Sequence, residues 1–128
     1  MRDIVNNIKI VQAAPPATRA ASFDGAAVDL LGFGSAALII STGAVTGAGD
    51  MTAKLQESDT PTAGDFTDVA AEHLEGSLPA SLVTNTEAKV GYRGFKRYLR
   101  AVLTLNSGTS VTVGAAFVLG DATSRPVS

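Results

Sequence analysis

From Ser22 onward, short apolar runs alternate with clusters of Gly, Pro, Asn, Asp, Ser and Thr. Within the runs, apolar and polar positions tend to alternate with period two, which puts successive side chains on opposite faces of an extended chain. The pattern predicts strands over 26–31, 35–42, 51–57, 66–70, 88–92, 98–105 and 111–119. Seven or eight short strands at this spacing predict an all-β domain, a single β-sandwich or jelly roll.

The segments between the runs carry turn chemistry. Thr46-Gly47-Ala48-Gly49-Asp50, Ser58-Asp59-Thr60-Pro61-Thr62-Ala63-Gly64 and Asn106-Ser107-Gly108-Thr109 supply residues that accept positive φ or hydrogen-bond their own backbone. Only the last of these separates the two final runs, so residues 98–119 are expected to form a hairpin. In its first strand Leu99, Ala101, Leu103 and Leu105 share the face expected to be core. Tyr98, Arg100, Val102 and Thr104 share the other, a mixture that suits a partly covered surface. Residues 65–74 are ambiguous, because Phe66, Val69, Ala70, His73 and Leu74 also suit one face of a short helix.

The first 21 residues differ. Ile4, Ile8, Ile10 and Val11 are poorly patterned, and Ala13-Ala14-Pro15-Pro16-Ala17 disfavours both helix and ladder pairing. Residues 1–21 therefore read as an extended arm with a proline hinge, and residues 22–128 as the sandwich. An ordinary first strand at a sheet edge is the alternative.

Composition narrows the picture. A chain of 128 residues can bury one core without a metal or disulfide, and cysteine is absent, which removes thiolate sites and thiol nucleophiles. The apolar 45% holds only five Phe, two Tyr and no Trp, so the core must be built from small side chains. The longest apolar run, residues 36–40, is too short to cross a bilayer, and Asn6 and Asn7 interrupt any leader-like start. No membrane partner is expected.

Net charge is −2, which gives no reason to expect direct nucleic-acid binding. The layout is more informative than the sum. Glu57, Asp59, Asp65, Asp68, Glu72 and Glu75 fall together without a base, whereas Lys89, Arg93, Lys96, Arg97 and Arg100 follow one another without an acid. Two solvated faces would explain this. So would a polar molecule whose copies or partner meet it through opposite charges. In residues 89–100 three aromatics interleave with five cations, a mixture suited to nucleic acid, an acidic glycan or an acidic protein patch, or to rings in a core with snorkelling arginines.

No catalytic set or cofactor site emerges. Gly32-Phe33-Gly34-Ser35-Ala36-Ala37 matches a loose dinucleotide fingerprint, yet a strand rather than a helix should follow it. His73 is the sole histidine and no nucleophile elbow accompanies it, so an enzyme is not expected. The acid pairs Asp65/Asp68 and Glu72/Glu75 lack the apolar setting that would separate two pKa values, and no calcium-loop spacing appears.

Four segments carry a resemblance: Lys54-Leu55-Gln56-Glu57-Ser58-Asp59, Phe66-Thr67-Asp68-Val69-Ala70, Lys89-Val90-Gly91-Tyr92-Arg93-Gly94 and Lys96-Arg97-Tyr98-Leu99-Arg100, followed by a Gly-Ala-rich strand. Over about residues 25–120 the chain resembles small head proteins of tailed bacteriophages and gene-transfer particles, of the decoration, cement or head-spike-base type. The resemblance implies a homo-oligomer, a trimer before a pentamer, made in the host cytoplasm. It would sit on the capsid exterior, bind the major capsid protein and stabilise the shell. Arg93, Lys96, Arg97 and Arg100 are then the candidates for charge pairing with that partner, and Ile4, Ile8 and Ile10 for a tether. Residues 96–102 are also similar to a strand of discoidin-like, galactose-binding jelly rolls, which implies a host-surface glycan as the alternative partner.

Overall fold

A computed structural model of the chain describes residues 4–122. Ten strands run through them: β1 Lys9–Arg19, β2 Phe23–Asp24, β3 Val28–Asp29, β4 Phe33–Thr46, β5 Asp50–Ser58, β6 Thr67–Asp68, β7 Leu74–Glu75, β8 Glu87–Tyr92, β9 Tyr98–Ser107 and β10 Ser110–Ala122. They form two antiparallel sheets. The first has the order β1-β10-β4-β8-β7, and the second runs β2-β9-β5-β6 with β3 also paired to β9. The sheets face each other as a β-sandwich.

Alternation along the long strands builds the core between the sheets. From the first sheet, Leu38 and Ile40 of β4 and Val111, Val113, Phe117 and Leu119 of β10 point inward and are buried. From the second come Met51 and Leu55 of β5 and Leu99, Ala101 and Leu103 of β9. Phe117 is the largest of the fully buried side chains, which otherwise are aliphatic. Removing apolar area at about 25 cal/mol per Å² is the main force holding the two layers together.

The connection expected to be a hairpin is not one. β9 belongs to the second sheet and β10 to the first, so the chain at Gly108-Thr109 crosses from layer to layer. Between β4 and β5 the segment Gly47-Ala48-Gly49 makes the same crossing, and the two loops lie against each other. A Cβ at Gly108 would collide with the backbone of Ala48 and Gly49, and its φ of 84° also favours glycine. Alternation could not distinguish the two cases. A hairpin and an arch both turn Leu99, Ala101 and Leu103 toward the same interior as Val111 and Val113.

The expected arm and hinge are also corrected for residues 9–19, which form β1 at the edge of the first sheet. Its register with β10 runs from Lys9↔Leu119 to Arg19↔Val111, with irregularities between Gln12 and Ala14 and between Ala14 and Ala17. Ala13 and Ala14 are buried, while Pro15 and Pro16 are exposed inside the second irregularity. An edge strand needs donors on one side only, and a bulge skips a pairing position, so both prolines fit without a lost ladder bond. Residues 65–74 resolve as the end of a 3-10 turn (Ala63–Asp65), β6, a second 3-10 turn (Ala71–His73) and the first residue of β7. Beyond Gly32 the chain continues as strand β4, not as a helix.

Candidate protein-binding surface

At one end of the sandwich two loops cross between the sheets, Leu30–Gly32 after β3 and Arg93–Arg97 after β8. They enclose a concavity of about 330 Å³ lined by Leu31, Phe33, Tyr92, Phe95, Lys96 and Arg97 among others. Three of the four cations expected to meet a partner lie on the second loop, and Arg100 follows on β9.

Each cation has a partner within the chain. Arg97 donates from Nε and Nη2 to the two carboxylate oxygens of Asp29, each at 2.8 Å. Lys96 Nζ reaches Asp59 at 2.8 Å, and Arg93 Nε lies 3.5 Å from a Glu75 oxygen. Arg100 donates from Nε and Nη2 to Gln56 Oε1 at 2.8 and 2.6 Å, with its guanidinium 4.7 Å from the centre of the Phe66 ring. The cause lies in the register. β5 and β9 are antiparallel neighbours with Gln56 opposite Arg100 and Ser58 opposite Tyr98, so the acidic stretch that ends β5 is carried alongside the basic stretch that begins β9. Arg93 and Lys96 are thus met by acids of the 57–75 stretch and Arg97 by Asp29, whereas the partner of Arg100 is the neutral Gln56 amide. Any charge contact with another protein at Arg93, Lys96, Arg97 or Arg100 must share or displace these pairs.

The pairs hold the loops. Asp29 accepts the Leu31 backbone N–H at 2.9 Å as well as the Arg97 fork, so a single carboxylate fixes both walls of the concavity. The Arg97 bonds, followed by the Leu31 N–H, lower its pKa to about 2. On the inner side Tyr92 donates its hydroxyl to Glu57 Oε1 at 2.6 Å and accepts the Lys96 backbone N–H at 3.1 Å. Burial, with the Glu57 bond second, pushes the Tyr92 hydroxyl well above its ordinary pKa. The backbone at Gly94 passes directly against the Tyr92 ring, leaving no room for a side chain there. The loop is therefore anchored before and after its tip.

That tip is Phe95, which is 91% exposed; Leu31 on the facing loop is 69% exposed. Only the His73 ring meets Phe95 edge-on among the described aromatic contacts, at 5.9 Å between centroids. An aromatic side chain held in water by an anchored loop is a feature of binding surfaces, where Phe and its larger relatives supply contact area at low entropic cost. Period-two reasoning does not single out Phe95, since residues 93–97 carry no alternation. Its usable signal is local: a large ring placed between Gly94 and two cations, outside any strand.

The three isoleucines expected to tether are dispersed. Ile10 is exposed on the outward side of β1, Ile4 is exposed ahead of that strand, and Ile8 borders a neighbouring concavity with Gly34, Ala37, Arg93 and Val118. Among the described residues no group of three or more His, Asp or Glu is placed to hold a metal ion, and no helix is long and apolar enough to cross a membrane.

Lowered pKa values have a sign. With its folded pKa near 2 against an ordinary value of 3.8, Asp29 stabilises the fold above about pH 4, and that contribution disappears as pH falls toward 2. The side chains of Asp29 and Arg97 are 44% and 47% exposed, so the effect is modest and salt-sensitive. Thermal midpoints of the wild type and Asp29→Asn are expected to differ at pH 7 and to converge near pH 2. A difference that stays constant over that range would remove the pair from the account.

No family model matches the sequence, and no curated protein does. Solved structures do. The SPBc2 prophage-derived protein YomS superposes with a TM-score of 0.50 at 14% identity, covering 91% of this chain and 98% of that one. The likeness is one of fold. A chain in the structure of infectious bursal disease virus Gx strain gives a TM-score of 0.41 at 15% identity, over 91% of this chain and 32% of that chain.

Proposed function

We propose that this chain is a structural protein of a phage particle that binds the outside of the capsid as a decoration or cement protein, with the major capsid protein as its partner. The observation that carries the reading is the anchored concave end: Phe95 and Leu31 stand in water, and the charges around them are already paired. Such a surface recognises another protein by shape and apolar contact, with the ion pairs as a polar rim. The resemblance of residues 25–120 to small phage head proteins supports it, as does a fold similar over nearly its whole length to that of a prophage-derived protein.

Stabilisation follows from mass action. A body that binds the assembled shell and not its free subunits favours assembly by its differential affinity, and an oligomer that engages several subunits gains effective concentration. The direct experiment mixes the chain with empty capsids of the particle that encodes it, pellets them and measures occupancy and capsid melting. Saturable binding with a raised melting temperature is expected; absence of binding overturns the proposal. The alternative, a glycan-binding module or spike base, draws on the same exposed Phe95 ring beside hydrogen-bonding groups. Retention on a host-glycan array without capsid binding would favour it.

A further inference from the structure

The ladder between β4 and β8 stops one step short of the start of β4. Even-numbered residues of β4 turn their backbone N–H and C=O toward β8: Thr42 donates to the Thr86 carbonyl at 2.9 Å, and Ile40, Leu38 and Ala36 follow opposite Ala88, Val90 and Tyr92. The next such position is Gly34, and the register would set Gly94 against it. Gly94 does not take that place. The chain leaves β8 after Tyr92, and the backbone at Gly94 lies against the Tyr92 ring, whose hydroxyl also accepts the Lys96 N–H. Among the described residues no backbone group completes the rung on this side of Gly34.

The same parity decides which way the open position faces. Ala36, Leu38 and Ile40 are buried because even positions of β4 point between the sheets, and Gly34 continues their row without a side chain. Gly34 lines the 330 Å³ concavity, together with Leu31 and Phe95 of the two crossing loops. Directly paired residues of antiparallel strands carry their side chains on one face of the sheet. A residue paired with Gly34 would therefore set its side chain where Gly34 has none, in the concavity beside Leu31 and Phe95.

We propose that the concave end takes an extended segment of its partner as a short added strand on β4 at Gly34, with one apolar side chain of that segment filling the concavity. The inference rests on the capsid-binding reading above and names the form in which the partner is recognised. Hydrogen bonds to the Gly34 backbone need a segment whose own N–H and C=O are unpaired, which an extended stretch offers and the middle of a helix does not. Charge narrows the paired residue. The two cations that line the concavity, Lys96 and Arg97, are held by Asp59 and Asp29, so a buried carboxylate would find no unmatched cation there and an apolar side chain loses nothing. A single rung supplies two hydrogen bonds. These fix the direction and register of the segment, while its apolar side chain supplies the contact area against Leu31 and Phe95.

Hydrogen exchange of the full chain, free and bound to empty capsids of the particle that encodes it, tests this. The Gly34 amide is expected to exchange far faster than the Leu38 amide in the free chain, and to slow at least about tenfold on the capsid. Binding without slowing at Gly34, or a Gly34 amide already protected in the free chain, overturns the proposal and leaves the capsid-binding reading standing. A chain that does not bind capsids overturns both. Two variants give a second readout. Gly34→Pro removes the donor at a position that makes no ladder bond with it, and is expected to lower capsid affinity roughly tenfold; Gly34→Ala keeps donor and acceptor and stays within about threefold of wild type. Wild-type affinity in a Gly34→Pro chain with an unchanged circular dichroism spectrum overturns the proposal, and if that variant unfolds the exchange measurement decides.

Discussion

Phe117→Ala is expected to destabilise the fold by about 3–5 kcal/mol, measured as a fall in the urea midpoint with the slope unchanged. Phe117 is fully buried in the middle of β10, in register with Val11 of β1 on one side and Leu38 of β4 on the other. The core around it consists mainly of Ala, Val, Leu and Ile, with Met51 and Tyr92, held on two rigid pleated layers, so little can move to fill the space a ring leaves. A domain of this size has only about 5–15 kcal/mol in total, and the variant would lose a large share of it. A loss under about 1 kcal/mol would mean that the layers close over the gap and that the core is not packed as described.

Phe95→Ala is expected to do the reverse: to leave stability within about 0.5 kcal/mol of wild type and to weaken capsid binding roughly thirtyfold. Nothing is lost on folding because the ring is 91% exposed in the free protein. Binding suffers because a central aromatic anchor typically contributes about 2 kcal/mol or more. The two phenylalanines thus separate the scaffold from the surface it presents. Titrating labelled capsids with each variant at fixed salt distinguishes them. Binding undiminished in Phe95→Ala would place the contact elsewhere on the molecule.

The strands were legible because period two is a direct consequence of backbone geometry. Residues 35–42, 51–57, 88–92, 98–105 and 111–119 all lie within observed strands, and Leu99, Ala101 and Leu103 are buried as their alternation requires. What alternation cannot encode is the neighbour. Whether β9 pairs with β10 or crosses to the other sheet is decided by the loop packing at Gly108 against Ala48 and Gly49, a contact between segments some sixty residues apart. Short strands such as β2 and β7, two residues each, exist only because a longer strand offers them an edge. The prolines misled for a related reason: they forbid a donor, but an edge strand with a bulge does not ask for one.

The candidate surface was legible in part. The stretch around Arg93, Lys96 and Arg97 does lie at the concave end, but its charges are matched by Glu75, Asp59 and Asp29. Sequence separation concealed those partners, since Asp29 and Arg97 are 68 positions apart. Leu31 looks in sequence like an ordinary apolar residue destined for a core, and Phe95 is one of three rings in residues 89–100 that suit a contact surface and a core equally. Only placement on crossing loops keeps them in water.

An electron cryomicroscopy map of capsids saturated with the protein addresses the central proposal most directly. The account predicts ordered density on the outer shell with the Leu31 and Phe95 loops turned toward the major capsid subunits. Bare shells at saturating protein, or density in which those loops point to solvent, would contradict it.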